Sequence, residues 1–211
     1  MDANQKKAYK ARIKRTIDNL EKNNFKAVFV NTKTEALTLV KSLVPAGTIT
    51  ASGGSVTLSD SGILNYLKEN TDYRTNPRDA YISNFYLASA NAITEHGEIY
   101  QVDGRSNRIS AILYGPEKVI IVAGINKLVQ NVRDAVVRVK TQAAPPNAIR
   151  LCKETPCAHR GVCASPDCSD AHLSALGCDS EDRICCNSLI MAKQREKDRI
   201  IVIIVGEDCG Y

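Results

Sequence analysis

Residues 199–205, Arg-Ile-Ile-Val-Ile-Ile-Val (RIIVIIV), decide the fold. After Arg199 every side chain is β-branched and aliphatic, so neither face of the segment is polar. Such a run suits a strand in the middle of a sheet that is covered on both sides. Residues 118–123, KVIIVA, have the same character. Two strands of this kind require a layer of helices on each face.

Working outward, residues 2–23 are read as a helix, because Ala8, Ile13, Ile17 and Leu20 recur at near-helical spacing. Phe25–Val30 reads as a buried strand. Thr32 or Thr34 caps a second helix through Val44, which Pro45 and Gly47 stop. Thr48–Ser52 is expected as a strand, followed at once by Gly53-Gly54-Ser55-Val56-Thr57 and a short helix over 59–69. Residues 71–78 read as a loop and residues 85–89 as a strand. Residues 98–102 and 108–113 read as two strands joined by a turn. An amphipathic helix spans 126–140, and Ala143-Ala144-Pro145-Pro146 ends it. This alternation predicts an α/β domain with a mostly parallel sheet flanked by helices. The domain takes residues 1–150 and 187–211, and residues 151–186 are an insertion.

The chain has 211 residues, is 44% hydrophobic and carries a formal charge of +5. No window reaches the roughly 18 apolar residues of a membrane span. The N-terminal MDANQKKAYKARIKRT lacks the apolar segment of a secretory signal, so a cytoplasmic location is expected. The positive charge is spread along the chain without a nucleic-acid reading motif, and there is no Trp and only three Phe for stacking, so nucleic acid is not an expected partner.

The insertion reads LCKETPCAHRGVCASPDCSDAHLSALGCDSEDRICC and holds seven of the eight cysteines. Cysteines this dense, in a stretch poor in large apolar residues, are there to be cross-linked or to bind metal. A reducing compartment counts against disulfides. The spacings Cys157-x5-Cys163, Cys163-x4-Cys168 and Cys178-x6-Cys185 lack the paired CxxC knuckle of structural zinc. Irregular loop thiolates suit an iron–sulfur cluster, where each iron takes one cysteine. Zinc, with His159 or His172 completing a Cys3His set, stays open.

Elsewhere, Gly53, Gly54, Ser55 and Thr57 form a glycine loop between strand and helix that can hold an anion with backbone N–H groups. The same residues also suit a plain tight turn with Ser55 as a cap. Asn91, Thr94 and Glu95 follow an apolar strand, and Glu95 is the candidate general base or nucleophile. Asp103, Asn107 and Arg108 cluster at a turn. Gly124, Asn126 and Lys127 follow the 118–123 strand, with Lys127 as counter-charge to a ligand.

SANAITEHGEI (89–99), DGRSNRISAILYGPEKVIIVAGINKLV (103–129), AAPPNAIRL (143–151), TPC (155–157), SEDRIC (180–185) and RIIVIIVGEDCGY (199–211) together resemble the lactate utilization protein (LUD domain) family. The resemblance implies a fold similar to the ribose-phosphate isomerase and CoA-transferase group. It implies a 4Fe–4S cluster on Cys157, Cys163, Cys178 and Cys185. Cys168, His172, Cys152, Cys186 and Cys209 depart from the pattern, and Cys168 is an additional candidate ligand. The expected function is that of an iron–sulfur protein in the utilization of lactate or a related 2-hydroxy acid. It would act in electron transfer or as an accessory subunit, an oxidoreductase component. Expected partners are a small anionic substrate, iron–sulfur proteins and, as an open option, further copies of the chain. One alternative is an isomerase- or transferase-like enzyme for a phosphate- or CoA-like substrate, with Glu95 as base or nucleophile and a structural zinc loop. Another is a ligand-sensing module.

Overall fold

The computed structural model describes residues 2–165 and 177–211. In chain order the elements are α1 (Ala3–Lys22), β1 (Lys26–Val30), α2 (Lys33–Leu43), β2 (Ile49–Ser52), α3 (Val56–Asp60), α4 (Ile63–Asn70), β3 (Asp72–Arg74), β4 (Phe85–Ala88), β5 (Ala92–Thr94) and β6 (Ile99–Asp103). They continue with α5 (Asn107–Leu113), β7 (Lys118–Gly124), β8 (Leu128–Val129), α6 (Val132–Arg138), α7 (Ala144–Arg150), α8 (Pro156–Arg160), β9 (Asn187–Met191) and β10 (Ile200–Val205). A π-helical stretch, Val139–Ala143, joins α6 to α7.

Among the described residues six strands form one sheet in the order β1-β10-β7-β4-β2-β3, every pair parallel. The two apolar runs are neighbours at its centre, with Ile201 opposite Ile120 and Ile203 opposite Val122. Their side chains alternate between two cores. Val119, Ile121, Ile200, Val202 and Ile204 pack on one face with Ile13 and Leu20 of α1. Ile120, Val122, Ile201, Ile203 and Val205 pack on the other with α2 and α4. Fully burying each such side chain contributes about 1.5–3 kcal/mol. This is the α/β architecture that the sequence predicts.

Helix starts follow local chemistry. Thr32 accepts from the Glu35 amide at 3.1 Å and caps α2. Ser55 accepts from the Leu58 amide at 3.3 Å and caps α3, and Gly62 breaks the expected 59–69 helix between α3 and α4. Among the described residues no helix is long and apolar enough to cross a membrane.

Several local expectations are corrected. Residues 108–113 are helix α5 and not a strand, because the Asp103 carboxylate accepts from the amides of Arg105, Arg108 and Ile109 and turns the chain. Residues 71–78 include an edge strand, β3. The 126–140 segment opens with a 3-10 turn and β8 before α6. Pro145 and Pro146 do not end a helix. They occupy the first turn of α7, where a missing N–H costs nothing. A second sheet, β8-β5-β6-β9, was not anticipated, and its β9 lies between the cysteine-rich stretch and β10.

Candidate functional site

Two cavities lie side by side, one lined by thiols and the other by cations. Cys157, Cys163, Cys178 and Cys185 all line the first, a small void closed by Tyr100, Val136 and Val139. Cys157 is on α8, whose N-cap Thr155 accepts from the Ala158 amide and lies 3.2 Å from the Cys157 sulfur. Cys163 accepts a hydrogen bond from the Ser165 amide at 3.3 Å. Cys178 and Cys185 come from the irregular segment that precedes β9. All four are partly buried, while Cys152 and Cys186 are exposed and Cys209 is buried elsewhere, behind α3. Cys168 and His172 lie outside the described residues. His159 pairs with Glu154 at 3.0 Å and does not line the cavity. Among the described residues no three His, Cys, Asp or Glu side chains converge tightly enough to hold a single ion.

Lys140 supplies the cavity's charge. It sits on the π-helical stretch, is 6% exposed, and donates to Ser165 Oγ at 3.1 Å. A π-helical segment re-aims side chains relative to a regular helix and recurs at functional sites.

The second cavity, about 380 Å3, collects Gly54, Ser55, Thr57, Asn91, Asp103 and Asn107. Arg108 and Lys127 line it too. Eight of the residues singled out for ligand binding thus meet in one place, from β2–α3, β4–β5, β6–α5 and the end of β7. Arg108 is held there by Ser89 O at 3.3 Å, Asn91 Oδ1 at 3.1 Å, Gln101 Oε1 and Val102 O. Gly53 stands just behind. A Cβ on it would lie 2.7 Å from the Arg108 Cδ, so the glycine makes room for that side chain. Gly124 and Asn126 serve the same region indirectly. Asn126 holds the C-terminal segment, accepting from Cys209 N at 3.2 Å and donating to Gly210 O at 3.0 Å. A Cβ on Gly124 would meet that segment at 2.5 Å.

Lys127 is 3% exposed. Its Nζ donates to Thr57 Oγ1 at 3.0 Å and to Ser89 Oγ at 2.9 Å. Burial first, and then the nearby Arg138 and Arg108 charges, pull its pKa down to about 7, against the weaker pull of Cys209 and Asp60. Burial likewise lowers Arg138 to about 10, and Arg138 is fixed by Asn126 O and Asn91 O.

Glu95 and Thr94 are not brought to either cavity. Glu95 is ion-paired to Arg12 and Arg15 of α1, and Asn19 donates to its carbonyl at 2.8 Å. Burial alone would raise its pKa, but the hydrogen bonds from Arg15 and Arg12 outweigh burial and hold it below the ordinary carboxylate value. A carboxylate so neutralised is a brace between α1 and the 94–97 turn. Thr94 bonds Glu98 at 2.7 Å.

Sequence reasoning missed Ser89, Arg105, Arg150, Lys153 and Tyr211, all of which line the second cavity. Ser89 stands two positions before Asn91, a chosen residue. Arg150 precedes the cysteine-rich stretch and Lys153 lies within it, both more than 40 positions from Arg108, and no local pattern connects them.

No curated protein matches the chain in sequence. Among solved structures it is similar to a DUF162 family protein from Deinococcus radiodurans, with 14% identity over 94% of this chain and 96% of that one and a TM-score of 0.49. It is also similar, over 47% of this chain and 52% of that one, to ribose 5-phosphate isomerase from Plasmodium falciparum, with 16% identity and a TM-score of 0.32. A family profile, that of the LUD domain, matches residues 13–205. The chain therefore belongs to the LUD domain family.

Proposed function

We propose that this LUD domain protein carries an iron–sulfur cluster, of the 4Fe–4S kind, on Cys157, Cys163, Cys178 and Cys185. In this reading it serves a system that utilizes lactate or a related 2-hydroxy acid in the reducing cytoplasm, in electron transfer or as an accessory subunit beside iron–sulfur partners. One observation carries the reading. Four cysteines scattered over 29 positions (157 through 185) line a single cavity, while the other three described cysteines do not. The donor set fits. The four thiols line one void, as suits a cluster whose irons each take one thiolate. Zinc needs its four ligands about 2.3 Å from one centre.

Such a cluster supplies one-electron transfer when bound. The chain's own residues set its surroundings. Tyr100, Val136 and Val139 exclude water. The Ser165 amide donates toward the Cys163 sulfur, and Lys140 places a buried positive charge beside the thiolates. Hydrogen bonds to sulfur and local charge are the levers by which a protein tunes such a site. The cation-lined cavity next door supports a small anionic substrate.

The test is an anaerobic preparation with iron, sulfide and zinc analysis and a visible spectrum. Iron and sulfide in equal amounts with a brown chromophore are expected. Zinc near one per chain with neither iron nor sulfide would overturn the reading in favour of a structural zinc loop.

A further inference from the structure

We infer that Lys127 is a nucleophile that forms an imine with the carbonyl group of a small 2-oxo carboxylate bound in the cation-lined cavity. This inference is independent of what the four cysteines hold.

The geometry around Nζ is the first argument. Thr57 Oγ1 donates its own proton to Cys209 O at 3.0 Å, and Ser89 Oγ donates to Ala90 O at 3.4 Å. Both hydroxyls are therefore acceptors toward Lys127, at 3.0 and 2.9 Å. A neutral amine has two N–H groups and one lone pair. Thr57 and Ser89 take the two N–H groups, which leaves the lone pair unused. An ammonium would instead have a third proton to place. Among the described residues no carboxylate forms an ion pair with Lys127 that would hold it charged. The charged and titratable groups that act on it are Arg138, Arg108, Cys209 and Asp60. Burial and the two arginines outweigh the others, so a substantial fraction of the amine, about half, is neutral near pH 7. A buried, desolvated lysine next to other cations is the usual way an amine is made nucleophilic at neutral pH.

The second argument concerns what the cavity attracts. Arg105, Arg150 and Lys153 line it together with Arg108. Among the described residues Arg105 and Arg150 have no acidic partner. Among the described residues the one acidic side chain lining it, Asp103, commits its oxygens to the amides of Arg105, Arg108 and Ile109. Such a lining selects a carboxylate, and the buried amine selects a carbonyl. A 2-oxo acid carries both on adjacent carbons.

The step balances without a redox partner. The Nζ lone pair attacks the carbonyl carbon, a C–N bond forms, and the carbonyl π electrons move to oxygen. A proton passes from nitrogen to that oxygen, with the Thr57 and Ser89 hydroxyls in place as relays. Loss of water then leaves the imine.

The experiment is reductive trapping on the full chain with pyruvate and cyanoborohydride, followed by peptide mass mapping. Acetone serves as the ketone without a carboxylate. The expected result is one carboxyethyl increment on Lys127 ahead of every other lysine. The trapping rate should rise through about pH 7, well below the ordinary lysine range near 10.4. Pyruvate should be favoured over acetone by about tenfold or more, the minimum for one charge-assisted contact. K127R, with its far-ultraviolet spectrum checked, should lose the fast adduct. Labelling confined to exposed lysines, or equal labelling of Lys127 by both ketones, would overturn the inference. Because the mapping is done on the unsubstituted chain, the test stands even if K127R does not fold.

Discussion

The Arg108 side chain passes through the space that a side chain on Gly53 would need, its Cδ lying 2.7 Å from the position of the missing Cβ. Tyr86 Oη closes the same space at 2.9 Å. Gly53→Ala must therefore push Arg108 off Gln101 and Asn91. Overpacking of this kind costs about 1–3 kcal/mol. Urea denaturation should show that loss, and anion binding in the cavity, followed by calorimetry, should weaken with it.

Glu95→Gln should destabilise the fold at neutral pH by about 1–2 kcal/mol, the lower part of the range for hydrogen bonds to charged groups, because solvent screens the half-exposed Arg15. The folded carboxyl titrates below its ordinary value of 4.5. Its contribution is thus complete above that value and is lost as pH falls through the lower, folded one. The stability gap between wild type and Glu95→Gln should stay constant from pH 7 to 5 and close toward pH 3. A gap that widened on acidification would contradict the brace formed with Arg12 and Arg15.

Single serine substitutions divide the cysteines into two classes. Cys157, Cys163, Cys178 and Cys185 should each lose most of the bound metal and the visible chromophore. Cys152→Ser and Cys186→Ser should keep both, since these thiols are exposed and outside the cavity. Iron content per chain after anaerobic reconstitution separates the classes.

Lys140→Met removes a buried positive charge from the wall of the thiol-lined cavity. An added electron is then less well stabilised, so the midpoint potential should become more negative. Dye-mediated redox titration of the reconstituted protein measures it. An unchanged or more positive value would show that Lys140 does not face the redox group.

The central sheet was legible because two runs, 118–123 and 199–205, have only one stable environment. Their β-branched side chains on both faces exclude anything but central parallel strands. Helix α5 was not legible. Its sequence, NRISAIL, is as compatible with a strand, and the decision comes from Asp103, whose carboxylate collects amides from the next turn. Pro145-Pro146 misled for a related reason, since a proline pair stops one helix and opens another equally well. The glycine loop and Lys127 follow β2 and β7 of the six-stranded sheet, and Asp103 and Arg108 stand at or just after the end of β6 in the second sheet, so strand ends flagged each of these cavity-lining positions. Glu95 follows a strand too, but its neighbours across space are Arg12 and Arg15 of α1, which no local pattern reveals.

Val102 and the backbone of residues 143–144 belong to both cavities, with Ala143 facing the cations and Ala144 the thiols. One thin partition thus separates the thiol-lined cavity from the cation-lined one. Whatever swells or stiffens that partition from one side changes the free energy of filling the other. Thermodynamic reciprocity then makes the effect mutual: if a bound acid alters metal retention by some factor, metal must alter acid affinity by the same factor.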